Sequence, residues 1–279
     1  MESSQISLSC LCCGSSHFIN IFMYDSPPEG EIRFEFSSSR SYQREIRRCN
    51  LCGHFISIHD MDVGTLYNND YVSSNYQDQG GIARAFKRII SLPPSQSDNA
   101  GRVQRILDFS TNHFVHATKN IVLSVLDVGS GLGVFPYKIK EAGLDCTALD
   151  PDVRSVRHAR EMVGVKAIHG DFMEIQDIGQ FDVITFNKVL EHVENPVNML
   201  AKSLTHLNRG GFVYVEVPDG ESAVVEGPER EEFFIDHPHI FSLTSLSLLS
   251  IQAGFSVQAI ERIREPSGKH TLRVFLKTN

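Results

Sequence analysis

The chain has 279 residues and a formal net charge of −8, from 26 Lys and Arg against 34 Asp and Glu. This acidic balance argues against a protein that wraps nucleic acid, and no apolar run in the sequence is long enough to cross a bilayer. The N-terminus also lacks the basic start and apolar core of a signal peptide, so we expect a soluble, cytoplasmic protein. The length suits one large α/β domain with a small appendage.

Cysteines are concentrated at the N-terminus, where two C-x-x-C-G sequences occur. Such pairs suit a tetrahedral zinc ion, because each tight turn directs two sulfurs at one metal. The predicted structural zinc ligands are Cys10, Cys13, Cys49 and Cys52. Cys12 is an alternative ligand, and three histidines are further candidates to replace a cysteine: His17, His54 and His59. Residues 1–60, in which positions 32–36 alternate like a strand, therefore resemble a zinc ribbon.

The segment 61–120 is predicted to be a helical linker or lid. Helical spacing is seen over 82–90 and again from Arg102 to about Ala117. Pro93 and Pro94 separate the two helices, and residues 95–101 are predicted to be a loop.

A buried strand followed by a glycine-rich turn begins at residue 121, with the sequence IVLSVLDVGSGLG. A helix is predicted to follow over 134–142, which completes a strand–turn–helix unit. Glycine lets the backbone approach a ligand or adopt positive φ, and the N–H groups of the helix N-terminus suit an anionic group.

Asp150 ends the next predicted strand, 21 residues after the first glycine of the turn, Gly129. A carboxylate at this place accepts the ribose hydroxyls of an adenosine, which either S-adenosylmethionine (SAM) or NAD could supply. The dinucleotide fingerprint G-x-G-x-x-G would require a small residue at position 134, where this chain has Val134.

The turn motif Asp127-x-Gly129-x-Gly131-x-Gly133 resembles the first motif of class I SAM methyltransferases. The segment 181–186 followed by V-L-E-H-V at 189–193 is similar to the fourth motif of small-molecule methyltransferases. The resemblance implies that Asp171 of a Gly-Asp-Phe sequence bonds the adenine amino group and that Phe172 packs on the adenine face. A plain helix N-cap is the alternative role for Asp171. The predicted cofactor-binding residues are Asp127, Gly129, Ser130, Gly131, Gly133, Asp150, Asp171, Phe172 and Asn187.

The resemblance also implies the fold. We expect an α/β domain over 121–279 with a seven-stranded, mostly parallel Rossmann-like sheet and antiparallel end strands near 255–262 and 271–277. The zinc ribbon would precede it, as in some bacterial methyltransferases. In related enzymes a tyrosine-bearing segment lies over the cofactor, a role open to Tyr67, Tyr71 and Tyr76, which could equally pack on the ribbon.

The methyl acceptor should bind over the carboxyl ends of the strands, where the loops after strands four and five converge. These loops carry the predicted catalytic residues Glu191, His192, His237 and His239. A histidine titrates near neutrality and can accept a proton from a hydroxyl or an amine. For His192, bracing of the strand exit is the alternative role.

We therefore expect a SAM-dependent methyltransferase that acts on a small polar or sugar-like acceptor, such as a glycan precursor. Related sugar C-methyltransferases carry a further C-terminal domain that this sequence does not show, so transfer to oxygen or nitrogen is favoured. One alternative is an RNA methyltransferase that grips RNA through four ribbon arginines, Arg40, Arg44, Arg47 and Arg48. Another is a SAM-binding protein without catalysis.

Overall fold

The computed structural model describes residues 8–32, 41–61, 79–114 and 122–278. Most of the strand-like stretch predicted over 32–36 lies outside these ranges. So do Tyr67, Tyr71 and Tyr76. None of the helices in the described ranges has both the length and the apolar character that a membrane crossing needs.

The N-terminal unit is a small antiparallel sheet. Its strands are β1 (Phe18–Tyr24), β2 (Arg44–Cys49) and β3 (Phe55–Ile58). The second cysteine pair lies in the turn between β2 and β3, where Gly53 adopts a φ of +73°. Gly14 has the same φ after the first pair. Positive φ is accessible to glycine without steric cost, which explains the glycine that follows each C-x-x-C sequence.

Two helices follow the ribbon, α1 (Gln79–Ile90) and α2 (Asp98–His113). The sequence predicted the second helix from Arg102, with residues 95–101 in a loop. The start was wrong by one turn, because the hydroxyl of Ser97 accepts a hydrogen bond from the backbone N–H of Ala100 and so forms an N-cap. Asp98 then contributes a favourable negative charge to the first turn.

The main unit alternates strands and helices. In chain order its elements are β4 (Ser124–Val128), α3 (Val134–Glu141), β5 (Asp145–Asp150), α4 (Val153–His158), β6 (Lys166–His169), β7 (Phe181–Asn187), α5 (Pro196–Lys202), β8 (Leu207–Pro218), α6 (Gly220–Ala223), β9 (His239–Ile240), α7 (Leu243–Gln252), β10 (Phe255–Arg264) and β11 (His270–Thr278). All strands of this unit except β9 form one seven-stranded sheet, in the order β10-β11-β8-β7-β4-β5-β6. The strands from β4 to β8 are parallel, and β11 runs antiparallel to both of its neighbours. The predicted fold class is confirmed.

Strand β8 has an irregular start. Residues 208–211 belong to this strand, and its register against β7 shifts after the pair Phe181–Leu207. A Cβ on Gly211 would lie 2.6 Å from the carbonyl oxygen of Asp182, so the shifted backbone needs a glycine at this position.

The segment between β8 and α7 joins the ribbon to the main unit. Within this segment, β9 pairs with β3 and becomes the fourth strand of the ribbon sheet. The hydroxyl of Ser242, at the N-cap of α7, donates a hydrogen bond to the carbonyl of Cys52. An apolar cluster that contains Leu246 and Leu249 of α7 also includes the buried cysteines Cys10, Cys12, Cys49 and Cys52. The ribbon and the α/β unit therefore share a continuous core.

Candidate active site

The glycine-rich turn after β4 has a backbone that only glycine accommodates well. The φ values are +69° at Gly129, +50° at Gly131 and +70° at Gly133. A Cβ on Gly129 would lie 2.7 Å from Cγ2 of Val189, and one on Gly133 would lie 2.8 Å from Cγ2 of Val163. A Cβ on Gly131, by contrast, would have no atom of the other described residues within 4 Å. The middle of the turn thus borders open space at the carboxyl ends of the strands.

Asp150 ties the second strand to this turn. One carboxylate oxygen accepts the N–H of Gly131 at 2.7 Å, and the other accepts the N–H of Asp152 at 2.8 Å. Burial raises the pKa of Asp150, while these two backbone donors oppose the shift. Each carboxylate oxygen has a second lone pair, so Asp150 retains the capacity to accept ribose hydroxyls.

Ser130 serves the turn itself. Its hydroxyl donates to the carbonyl of Asp127 at 2.8 Å and accepts the N–H of Leu149 at 3.2 Å. The side chain therefore braces β4 against β5, and its predicted contact with the cofactor stays a prediction.

Asp127 and Asn187 form a buried polar pair at the ends of β4 and β7. One oxygen of Asp127 accepts hydrogen bonds from the hydroxyl of Thr185 and from Nδ2 of Asn187, both at 2.7 Å. Burial raises the pKa of Asp127 to about 6, against the lowering effect of these hydrogen bonds. Oδ1 of Asn187 is buried and has no hydrogen-bond partner among the described residues. A carboxylate and an orphaned acceptor side by side fit an ammonium group, which the methionine end of SAM carries.

Arg102 contributes a charge that sequence reasoning missed. It projects from α2 and donates from Nε to Glu216, which lies opposite Asn187 in the sheet. Burial raises the pKa of Glu216, but Arg102 and neighbouring cations outweigh burial and hold that pKa well below its usual range. Asn99 of the same helix donates to the carbonyl of Val134 at the start of α3. The glycine turn and the carboxyl ends of β4, β5 and β7 border a crevice. Helix α2 covers one wall of this crevice, which no motif in the sequence indicated.

The predicted adenine-binding pair is only partly at the crevice. Asp171 is exposed, and its Oδ1 accepts the N–H of Met173 at 2.8 Å in a turn that does not continue into a helix, so Asp171 is not a helix N-cap. Phe172 is 2% exposed, and its ring lies edge-on to Phe186 with centroids 5.7 Å apart. Packing of the Phe172 ring on adenine is therefore not what the structure shows, because the ring belongs to the core.

In the part of the chain that the structure describes, cavities lie at opposite edges of the main sheet. One of about 400 Å³ lies at the amino ends of β4, β5 and β6, beside Ser124, Asp145 and Lys166, on the side remote from the glycine turn. The other, of about 340 Å³, lies at the carboxyl ends of β7 and β8 and is called the acceptor pocket below. Its walls come from positions 30–32, 188–192, 218, 231–237 and 269–270.

Glu191, His192 and His237 meet in the acceptor pocket. Nδ1 of His192 lies 2.7 Å from the carbonyl oxygen of Asp236, and Nδ1 of His237 lies 3.0 Å from that of Glu232. A carbonyl only accepts hydrogen bonds, so we assign the proton of each neutral imidazole to Nδ1, which leaves Nε2 as the basic nitrogen. The two ring centroids are 4.8 Å apart.

The surroundings of His192 keep its ring uncharged. Burial, together with the neighbouring His237, lowers the pKa of His192, so the ring is neutral near pH 7 and has a nitrogen that can accept a proton. Glu191 is 1% exposed, and its Oε2 has no hydrogen-bond partner in the part of the chain that the structure describes. The ligand atoms of these three residues lie within 4.8 Å of one another.

His239 is not in the acceptor pocket. Its Nδ1 lies 3.2 Å from Nε2 of His54 in the ribbon, and its Nε2 lies 3.2 Å from the carbonyl oxygen of Glu194. Burial lowers the pKa of both imidazoles. The predicted catalytic role of His239 is therefore replaced by a structural position between the ribbon and the main unit.

Lys188 is a further pocket residue that the sequence did not reveal. It has a φ of +61°, a conformation that a residue with a side chain rarely adopts. Its Nζ donates to the hydroxyl of Thr271 at 2.7 Å, and burial lowers its pKa. Strained backbone is concentrated at functional sites. Nothing in the sequence signals a positive φ at a lysine.

The four predicted zinc ligands come together. Sγ of Cys10 lies 3.5 Å from Sγ of Cys52, and Sγ of Cys13 lies 3.5 Å from Sγ of Cys49. All four sulfurs are within 4.8 Å of one another, and a tetrahedral zinc ion with 2.3 Å bonds separates its sulfurs by about 3.8 Å. The group leaves out Cys12, His17, His54 and His59. All six cysteines lie in the described ranges, and each is free of a disulfide.

Known proteins agree with this architecture. A ubiquinone biosynthesis O-methyltransferase from Bordetella avium is 30% identical over 97 residues, which is 32% of this chain and 40% of that protein. The corresponding enzyme of Rickettsia felis is 27% identical over 160 residues, covering 56% of this chain and 61% of its own length. A cypemycin N-terminal methyltransferase from Streptomyces sp is 29% identical over 103 residues, or 34% of this chain and 42% of that protein. The chain thus matches less than two thirds of the length of these relatives.

Among solved structures, the 1,6-didemethyltoxoflavin-N1-methyltransferase of Burkholderia thailandensis superposes with a TM-score of 0.56 at 20% identity. The match covers 88% of this chain and all of that one, which was solved with 1,6-didemethyltoxoflavin and S-adenosylhomocysteine (SAH). Magnesium protoporphyrin IX methyltransferase from Synechocystis, solved with SAH, has a TM-score of 0.54 at 16% identity, covering 77% of this chain and all of that one. At these identities the likeness shows the fold. A family model described as a methyltransferase domain matches residues 78–260. Since this match takes in more than half of the chain, the protein belongs to the class I SAM-dependent methyltransferase family.

Proposed function

We propose that this protein transfers the methyl group of SAM to an oxygen or nitrogen atom of a small polar or sugar-like acceptor. The observation that carries the proposal is that two sites meet at the end of β7. Asn187 lies beside Asp127 in the crevice, and the next residue, Lys188, lines the acceptor pocket. A cofactor held along the first site would present its reactive end to the second.

The residues of the crevice fit SAM. The pair Asp127–Asn187, beside the turn at 129–133, would hold the methionine end, while Asp150 would accept the ribose hydroxyls. Asp171 would contact adenine. When bound, SAM supplies a methyl group activated by a positively charged sulfur.

The acceptor pocket would hold and deprotonate the nucleophile. The basic Nε2 of His192 or His237 would accept a proton from the hydroxyl or amine of the acceptor. The orphaned oxygen of Glu191 would accept a hydrogen bond from the same group and orient it. The strain at Lys188 places an ammonium group at the same wall, where it can hold a polar substituent of the acceptor.

The size and charge of the pocket support a small polar acceptor. A volume of about 340 Å³ matches a small-molecule site, and its lining includes Lys188, Lys269 and Glu231 as well as the two histidines. A nucleic acid would need available cations on the ribbon. Arg44, one of the four arginines considered for RNA binding, is instead buried against Glu31, and Arg47 pairs with Glu45.

The ribbon is proposed to hold one structural zinc ion through Cys10, Cys13, Cys49 and Cys52. The 3.5 Å sulfur pairs need to change little to reach the spacing of a zinc tetrahedron. Four thiolates leave no open coordination position, so the ion would stabilise the fold of the ribbon and take no part in methyl transfer.

Calorimetric titration with SAM, SAH and NAD tests the proposal. We expect SAM and SAH to bind and NAD to show no binding. The variant Asp150→Asn should weaken SAM binding at least about tenfold, equivalent to about 1.4 kcal/mol. Asp145→Asn, at the exposed start of the same strand, is the matched control and should stay within about twofold of wild type. Binding of NAD, or equal effects of the two substitutions, would overturn the assignment.

A further inference from the structure

A hydrogen-bonded pair of histidines connects the ribbon to the acceptor pocket. His54 follows the second cysteine pair and is fully buried, with Nε2 at 3.2 Å from Nδ1 of His239. Nε2 of His239 in turn lies 3.2 Å from the carbonyl oxygen of Glu194. Glu194 is two residues beyond His192, at the end of the turn that carries Glu191 into the pocket.

The direction of this chain follows from its last acceptor. The carbonyl of Glu194 only accepts, so Nε2 of His239 carries a proton and donates it. In a neutral ring Nδ1 of His239 then has the lone pair, and His54 must donate from its own Nε2. Each link is therefore defined: His54 donates to His239, and His239 donates to Glu194.

A second contact holds the same turn from the same side. His192 bonds through Nδ1 to the carbonyl of Asp236, three residues before His239. The segment that provides both contacts is fixed by the ribbon, because β9 pairs with β3 and the N–H of Ser57 donates to the carbonyl of Pro238 at 3.1 Å. The turn at 190–194 thus lies against a segment that the ribbon sheet organises.

The glycine turn is held differently. The N–H groups of Gly129 and Ser130 donate to the carbonyl of Leu149, and Gly131 donates to Asp150. All of these partners belong to β5 of the main sheet, and the ribbon contributes none of these bonds. The two halves of the candidate active site are therefore supported by different parts of the fold.

We propose that the ribbon positions the acceptor pocket, with His54 and His239 as positioning residues for the turn that carries Glu191 and His192. The role of that turn in binding the methyl acceptor rests on the proposed function. When the histidine chain is broken, the turn at 190–194 loses its fixed geometry, while the SAM crevice keeps its own.

Hydrogen exchange of the full-length protein, read by mass spectrometry, tests this inference. His54→Phe keeps an aromatic ring beside Phe241, with which His54 makes an edge-on contact, but removes the donor. Amide exchange over residues 189–195 should then rise at least about tenfold. Exchange over 127–134 and the affinity for SAH should change less than about twofold. The matched control is His17→Phe, at an exposed ribbon residue, which should leave both segments unchanged.

Two further variants exclude a general loss of folding. His54→Gln offers an amide donor in place of Nε2 and should restore slow exchange over 189–195. His239→Phe breaks the chain at its other link and should reproduce the effect of His54→Phe. Unchanged exchange over 189–195, or an equal rise over 127–134 in both phenylalanine variants, would overturn the inference. Failure of wild-type protein to bind SAH would contradict the proposed function alone, because the exchange result does not depend on SAM.

Discussion

The SAM crevice and the acceptor pocket lie at the same sheet edge but are assembled in different ways. The centre of the crevice is local: β4, the glycine turn and β5 provide it, with Gly131 bonded to Asp150 only 19 residues away, and Asn187 of β7 and helix α2 complete its walls. The acceptor pocket combines five stretches of the chain, from positions 30–32 to 269–270. A local site can be recognised in sequence by spacing, and an assembled site can be seen only in three dimensions. The contrast also predicts that different substitutions should damage the two sites separately.

Loss of the ribbon metal should have the largest effect. We expect Cys49→Ser combined with Cys52→Ser to lose the single zinc ion and several kcal/mol of stability, because the ribbon has little core of its own. Metal analysis and thermal unfolding measure the two effects. Cys146→Ser, a buried cysteine of β5 outside the cluster, is the control and should retain one ion per chain. Zinc that persisted in the double variant would contradict the proposed ligands.

Changes to the proton-accepting and orienting residues of the pocket should reduce catalysis without changing cofactor binding. His237→Ala should lower kcat by about 10²–10⁴-fold, the usual contribution of a general base, and Glu191→Gln, which alters the group that orients the nucleophile, should lower it less; SAM affinity should stay within about twofold of wild type in both variants. Steady-state release of SAH and calorimetry measure the two quantities. His113→Ala, at the end of α2, is the control. A parallel loss of SAM affinity would show that these residues support the crevice instead.

Substitutions in the glycine turn should instead reduce the stability of the protein or its affinity for SAM. Gly129→Ala combines a positive φ with a Cβ only 2.7 Å from Val189 and should destabilise the protein by about 3 kcal/mol. Gly131→Ala adds a Cβ in open space, so it should cost about 1 kcal/mol but still weaken SAM binding. Gly143→Ala has a similar positive φ with no described atom within 4 Å, and it lies outside the crevice. The variant Gly143→Ala should be as stable as Gly131→Ala and should bind SAM with wild-type affinity. Equal SAM affinities in the two variants would show that the glycine turn does not contact the cofactor.

The smallest expected effect is a pH dependence of SAM affinity. The pKa of Asp127 is about 6, so its carboxyl group is neutral below that pH and negative above it. SAM carries a positive charge, and we therefore expect binding to weaken by up to about tenfold for each pH unit below 6 and to be constant above. Calorimetry between pH 5 and pH 8 measures this. Asp127→Asn should give weaker binding with a flat profile; a wild-type profile without any change near pH 6 would contradict a contact between Asp127 and the cofactor.

The sequence predicted local features of the molecule better than those assembled from distant parts of the chain. The glycine turn, Asp150 and the four cysteines were found because their spacing reflects local backbone geometry. The start of α2 was missed although Ser97 and Asp98 signal an N-cap, so that error was one of interpretation. No sequence signal existed for β9, which has two residues and pairs with a strand far earlier in the chain. The positions of His239 and Phe172 follow from this pairing and from core packing, neither of which spacing reveals.

A structure of the protein with bound SAH tests the central claim most directly. The account predicts the methionine end of SAH beside Asp127 and Asn187, its ribose hydroxyls within hydrogen-bond distance of Asp150, and its sulfur facing the cavity that contains His192 and His237. SAH bound elsewhere on the sheet, or with its sulfur turned away from that cavity, would contradict the account.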